Sequence, residues 1–317
     1  MKLAITGGTG FVGGHLAVDL ARRGHEVVIL ARGVDRRPWA EAVMAEPGVT
    51  LVRAGLADRA ALAEAFAGCR AVAHCAGVNR QLGAATYEAV HVRGSANVVA
   101  AAEAAGVERL ALLSFLRARP ACGSAYHESK WAAEELVRAS SLGWTVLKPG
   151  MIFGRGDHML DHLSHALHTF PVFVGLGPLR VRPLAVADVV GVLRAALVDG
   201  RLERRTVALV GPTELGVQDA VALVAEATGR HRPIVPLRLG PHYTAAAWVL
   251  ERLMRVPMLS MAQVRILREE VVAPAGPVDE LPADLVPSTP YDLTTVRAGL
   301  PAPGRFGRAD LRWCAAC

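Results

Sequence analysis

The chain has 317 residues, enough for one large core or two closely joined ones, and 52% hydrophobic with 20% charged residues is an ordinary globular balance. Its net charge of +6 comes from basic residues scattered along the chain, and aromatics make up only 5%, which points away from nucleic acid. Five cysteines, odd in number and widely spread, argue against a disulfide framework and for a reducing, cytoplasmic compartment.

From Lys2 onward short apolar runs alternate with alanine-rich amphipathic stretches, as strand-helix-strand units with a parallel sheet require. Strands are predicted at 3–6, 26–31, 49–53, 71–75, 109–114 and 145–148. Helices are predicted near 11–23, 38–45, 58–67, 84–105 and 124–140, with Gly24, Gly68 and Gly106 suited to C-caps. A strand at Lys2–Thr6 leaves no room for a leader, and no run of 18 uncharged apolar residues occurs, so neither a signal peptide nor a membrane span is expected. After Pro149 the rhythm loosens. Pro183–Val190 is predicted as a strand leading into a helix capped by Asp188, and a strand at Thr206–Val210 with a helix near 216–228 is assigned to a smaller unit. Proline and glycine thicken from Ala273 to Gly307, which suggests a wrap with little regular structure.

The first predicted strand runs into Thr6-Gly7-Gly8-Thr9-Gly10-Phe11-Val12-Gly13-Gly14, with glycines three apart at 7, 10 and 13. Glycine there allows a tight turn, close approach of backbone to a pyrophosphate, and packing of the next helix, whose N-terminal N–H groups then face the phosphates. The strand before and the helix after supply the context that such a triplet needs. About twenty residues on, where an NAD site carries an acid for the ribose hydroxyls, stands Arg32, followed by Arg36 and Arg37. A guanidinium suits a 2'-phosphate, so NADP is favoured, with NAD left open. The fold expected is α/β: a Rossmann-type doubly wound parallel sheet with a smaller C-terminal substrate-binding unit. Residues 1–150, with 182–200 returning to them, form the NAD(P)-binding domain, and 151–181 with 201–317 form the second unit.

Only three of the 35 basic residues are lysine: Lys2, Lys130 and Lys148. Arginine keeps its proton near neutral pH and lysine can release it, so a retained lysine marks a place where that property counts. Lys130 lies four residues after Tyr126, on one helical face, where its ammonium can lower the pKa of the phenol. Tyr126 is thereby a general acid/base for a hydroxyl or carbonyl undergoing hydride transfer, with Ser114 at the end of the fifth strand holding the same oxygen and Lys130 also donating to the nicotinamide ribose.

These residues, with the segments TGGTGFVG, HCAG at 74–77, LSFLRA, YHESKWAAEE, WTVLKPGMIFGRGD and RPLAVADVV, resemble the atypical and extended short-chain dehydrogenase/reductases of the NAD(P)-dependent epimerase/dehydratase type. Within them the chain is most similar to the branch of the NADPH-binding accessory subunit of respiratory complex I and its bacterial relatives, through LSMAQVRILREEV at 259–271 and Pro287-Ser288-Thr289-Pro290. The resemblance assigns Gly7, Thr9, Gly10, Phe11, Val12 and Gly13 to the pyrophosphate, Arg32 to the 2'-phosphate, Ala76 and Gly77 to the cofactor floor, and Pro149 to Met151 to the nicotinamide rim. It assigns Ser114, Tyr126 and Lys130 to catalysis. Asn79, His91, Arg117, Phe153 and Arg180 are the substrate-side candidates. Three positions depart from the family pattern: Ala54-Gly55-Leu56 replaces Gly-Asp-Leu, His91 replaces an asparagine, and Ala185 replaces a histidine.

Other features carry less. His158, His162, His165 and His168 fall at helical spacing, but the family performs no metal chemistry there and no metal is expected. Ala245–Val256 forms an amphipathic stripe that leaves a peripheral membrane or protein partner open. Cys314 and Cys317 form a terminal Cys-x-x-Cys with no clear chemistry. The leading reading is an NADP-dependent oxidoreductase or epimerase acting on a small molecule. The alternative is a non-catalytic NADPH-binding assembly or redox-sensing protein.

Overall fold

Runs such as Leu3-Ala4-Ile5 and Val27–Leu30 have no polar alternation to offer water, and in the computed structural model they become strands buried on both faces. The structure describes residues 1–32, 38–254 and 257–311; Arg36, Arg37, Val256, Cys314 and Cys317 lie outside the described residues. The described chain runs β1 (Lys2–Thr6), α1 (Phe11–Arg22), β2 (Glu26–Ala31), α2 (Pro38–Ala45), β3 (Val49–Arg53), α3 (Arg59–Phe66), β4 (Ala71–His74), α4 (Gly94–Ala104), β5 (Arg109–Leu113), α5 (Ala125–Arg138) and β6 (Gly143–Pro149). It continues with β7 (Ile152–Phe153), α6 (His158–Thr169), β8 (Phe173–Leu176), β9 (Arg180–Val181), β10 (Leu184–Ala185), α7 (Val186–Leu197) and β11 (Arg205–Leu209). Last come β12 (Leu215–Gly216), α8 (Val217–Thr228), β13 (Ile234–Leu237), α9 (Pro241–Leu253), α10 (Met261–Arg268) and α11 (Leu293–Gly299).

Two compact units result. The first comprises Met1–Pro149, Val186–Leu209 and Pro274–Pro287, and the second Gly150–Ala185, Val210–Ala273 and the chain from Ser288. The first unit holds a seven-stranded parallel sheet in the order β11-β6-β5-β4-β1-β2-β3. The strand order reverses between β1 and β4, and ligands of open α/β sheets bind outside the carboxyl ends at such a point. One side of the sheet is sealed by Leu62, Phe66, Val98 and Ala102 against Leu110 and Val146, all buried. The second unit packs Phe153, Leu160, Val224, Tyr291 and Val296 into its own core.

The α/β Rossmann class expected from the alternation is the one observed. Local differences have local causes. Only Leu184–Ala185 of the predicted strand 183–190 is extended, because the helix already begins at Val186; Asp188 thus sits in its first turn. The strand near 206–210, read as part of the smaller unit, pairs with β6 in the central sheet. The helix predicted over 84–105 begins instead as a π-helical segment, Glu88–Arg93, before α4. Within 273–307, Asp292 and Thr295 close a capping box that starts α11.

Two glycines test how tightly the first unit is built. A Cβ on Gly13 would lie 2.4 Å from the Gly7 carbonyl oxygen, whereas one on Gly191, inside α7, would meet nothing within 4 Å. Gly13→Ala is expected to lose about 1–3 kcal/mol of stability, and Gly191→Ala to gain about 0.5–1 kcal/mol. Urea midpoints of the two variants that shift in the same direction would contradict this packing.

Candidate functional site

The site grows from two turns that follow neighbouring parallel strands. Thr6 of β1 is in register with His74 of β4, so the chain leaves both strands at one level. Gly7 turns with φ of +73°, and a Cβ there would lie 2.8 Å from Ala76 Cα. A side chain at either step would push the turns apart. The Gly7 carbonyl accepts the Gly10 N–H at 2.9 Å, and α1 starts after Gly10, an N-cap with no side chain to cap it. Backbone donors and the helix dipole are thus left facing an anion, so this cradle of Gly7, Gly10 and Gly13 fits a pyrophosphate. Thr9 and Phe11 are half-buried and Val12 is buried.

Gly77 continues the floor. A Cβ on it would lie 3.1 Å from Lys130 Nζ and 3.5 Å from His91 Nε2, so these two side chains close over a residue that must stay small. Lys130 is buried and donates to the Leu113 carbonyl at 3.2 Å. Burial lowers its pKa to about 8, opposed by Cys75 and Glu134.

Tyr126 opens α5 inside an aromatic cluster, edge-on to Tyr87, His91, Phe115 and His127 with ring centroids 5.5–5.8 Å apart. Its hydroxyl donates to Asn79 Oδ1 at 3.4 Å, and the Tyr87 hydroxyl donates to the Asn79 carbonyl at 3.1 Å. The sequence reading expects Lys130 to lower the Tyr126 pKa. The observed direction is upward, because burial disfavours the phenolate and Tyr87 adds to the effect.

Ser114 also differs from expectation. Its hydroxyl donates to Glu134 Oε1 at 2.5 Å, and Glu134, fully buried, also accepts from Lys148 Nζ at 2.8 and 2.9 Å and from Arg138 at 2.7 Å. The serine proton is therefore directed toward a buried carboxylate between β6 and α5. A buried charge needs such partners, and the hydroxyl is one of them.

His91 was expected on the substrate side and instead is buried within the wall. The Val78 N–H donates to its Nε2 at 3.1 Å, so Nδ1 carries the proton and donates to Ser129 Oγ at 2.9 Å; Ser129 in turn donates to the Tyr126 carbonyl. The buried His74 joins the same scaffold: Thr6 donates to its Nδ1, and its Nε2 donates to Ser95. Burial first, then the Lys130 charge, lowers the pKa to about 3 for His74 and about 2 for His91.

The remaining candidates are dispersed. Arg32 is exposed at the end of β2 with its methylenes 3.7 Å from where a Gly55 side chain would begin. Pro149 is buried and its carbonyl accepts the Leu116 N–H at 2.8 Å; Arg117 is half-buried on the same loop. In the second unit Met151 packs against the core, Phe153 is 2% exposed and meets the Tyr291 ring edge-on, and Arg180 pairs with Glu214 at 2.5 Å. Phe153 is therefore a core residue. His74, Tyr87, Ser129, Glu134 and Lys148 were not selected from sequence, though Lys148 had the signal of being one of three lysines.

Residues 7–161 match the model of a family described as NAD(P)H-binding. Beyond it, the chain is 29% identical over 238 residues to an uncharacterised protein of Mycobacterium tuberculosis, covering 75% of this chain and 24% of that one. It is 34% identical over 155 residues to a ceramide reductase of Caulobacter vibrioides (49% and 47% covered), and 28% identical over 238 residues to the mouse mitochondrial NADH dehydrogenase [ubiquinone] 1 alpha subcomplex subunit 9 (74% and 63% covered). The chain thus spans between a quarter and just under two thirds of these relatives. The fold matches the Bordetella bronchiseptica enzyme WbmH, solved in complex with NAD+, with a TM-score of 0.69 at 21% identity over 94% of this chain and 96% of that one.

The buried imidazoles around the NAD(P)H-binding floor make a pH prediction. Unfolded histidine titrates near 6.5, and both native side chains are held far below it, so acid protonates the unfolded chain first. Stability is full above pH 6.5 and is lost as pH falls, at roughly 1 kcal/mol per pH unit for each histidine. His91→Asn, which installs the residue common in the resembling family, is expected to remove about half of that slope between pH 7.5 and 5.5. An unaltered slope in urea titrations would refute the assignment.

Proposed function

We propose that the protein is an NADP-preferring oxidoreductase or epimerase in which Tyr126 moves the proton at a hydroxyl or carbonyl group. The observation that carries this reading is the continuity of the Gly7 turn, the Ala76-Gly77 floor, Lys130 and Tyr126 in one wall at the strand ends. When bound, the nicotinamide cofactor supplies or accepts a hydride. The Gly7–Gly13 turn and the start of α1 bind its pyrophosphate. Arg32 takes the 2'-phosphate, and glycine at 55 places no side chain against its stem. Lys130, charged below about pH 8, donates to the nicotinamide ribose over Gly77.

Tyr126 holds its proton at neutral pH because burial keeps the phenol neutral, and it is thereby ready as an acid toward a carbonyl oxygen. Asn79, already in contact with that hydroxyl, orients it. Ser114 is a positioning residue in this scheme: its bond to Glu134 ties the end of β5 to α5 behind the phenol, beside the bond from Lys148 of β6. Pro149 is assigned to the nicotinamide rim and Arg117 to the polar surroundings of a small-molecule substrate.

A second reading, an NADPH-binding assembly or redox-sensing subunit, is favoured by the inward bond of Ser114 and by the similarity to the mouse subunit. The two readings part on turnover. With NADPH oxidation followed optically against a panel of ketones and 3-oxo acyl compounds, Tyr126→Phe is expected to cut turnover about 100- to 10,000-fold with unchanged NADPH affinity. NADPH retained through purification and oxidised by no carbonyl would support the second reading. Cofactor preference is tested apart from turnover. Arg32→Ala should weaken NADPH binding about 10- to 100-fold and NADH binding little; equal losses would remove the phosphate contact.

A further inference from the structure

In the second unit β8 and β13 form a parallel ribbon, with Phe173 opposite Ile234 and Val174 opposite Val235. Side chains alternate across such a ribbon. Phe173 packs into the core, and on the other side Val172, Val174, Val235 and Leu237 are 44%, 50%, 43% and 41% exposed. A ribbon face left to water ordinarily carries polar residues, and this one carries four aliphatic side chains. α9 is tied to the ribbon by the Tyr243 hydroxyl, which donates to the Gly175 carbonyl at 3.0 Å. It exposes Trp248, with the Arg252 guanidinium 3.5 Å over the indole ring.

The sequence around these elements is largely basic, although Glu251 lies in α9 and Arg180 is paired with Glu214. No acidic residue occurs between Asp161 and Asp188 or between Glu226 and Glu251, the stretches that contain both strands and most of α9. They carry five arginines, at 180, 182, 230, 232 and 238, against a net charge of +6 for the whole chain. Arg230 and Arg238 are exposed on either side of β13. Four exposed aliphatic side chains on one face of a ribbon, with exposed Arg230 and Arg238 before and after its second strand, match a negatively charged interface with an apolar interior.

We propose that this face docks on an anionic lipid bilayer, with Val172, Val174, Val235 and Leu237 entering the headgroup boundary and Arg230 and Arg238 meeting lipid phosphates. No helix among the described residues is long and apolar enough to cross a membrane, so this attachment is peripheral. It is independent of turnover at Tyr126.

The test is co-sedimentation of the purified full chain with phosphatidylcholine vesicles, with and without about a third phosphatidylglycerol. Binding is expected to the anionic vesicles only, to weaken with salt, and to shift the Trp248 emission to the blue, a shift absent in Trp248→Phe. Val235→Asp and Arg238→Glu, both at exposed positions, should each reduce binding about tenfold or more while leaving the thermal midpoint and NADPH binding unchanged. Equal binding to neutral vesicles, no binding to either, or self-association that Val235→Asp abolishes would overturn the proposal.

Discussion

The rest of the first unit depends on how closely two backbone turns approach each other. Thr6 and His74 end neighbouring parallel strands in register, and the turns that follow leave no room for a Cβ on Gly7 beside Ala76. From that contact the chain can enter α1 through a glycine N-cap, and Gly77 can slide beneath Lys130 and His91. The cofactor cradle and the proton-bearing wall are consequences of the same closeness. Bulk at one turn would disturb both.

Behind the wall the structure keeps its histidines neutral and its charges paired. His74 and His91 are locked by hydroxyls and a backbone N–H, which fixes their tautomers and leaves the Lys130 ammonium as a positive neighbour. Glu134 collects three donors from Ser114, Lys148 and Arg138, which ties β5, β6 and α5 at one point. Cys75, near Lys130, is pushed up to about 12 by burial and stays a thiol. This interior is polar yet quiet: its histidines stay neutral and its carboxylate is held by three donors.

Much of this was readable from residues. The alternating apolar runs announced the parallel sheet, and the glycine spacing located the phosphate turn because only glycine satisfies both the positive φ and the close approach. Tyr126 and Lys130 were legible because helical spacing fixes a shared face. Ser114 was legible only as a strand end: a hydroxyl's direction depends on Glu134, twenty residues later, and no pattern encodes it. His91 was visible as a departure from asparagine, but its burial follows from the folding of 78–95 around it. Strand β11 was misassigned because a five-residue apolar run does not say which sheet edge will receive it.

The π-helical segment at Glu88–Arg93 sits between the site and α4, with the Gly94 N–H reaching back five residues to the Ala89 carbonyl. Such a segment holds one residue more than an α-helix of the same rise. Shedding that residue would rotate everything upstream by about 100° about the helix axis. Tyr87, whose ring now lies against Tyr126 and whose hydroxyl holds the Asn79 backbone, is the first side chain upstream. The aromatic edge of the site is thus geared to a single extra residue in the helix, and a one-residue deletion between Glu88 and Arg93 would re-aim Tyr87 away from Tyr126 while the sheet beneath stayed in place.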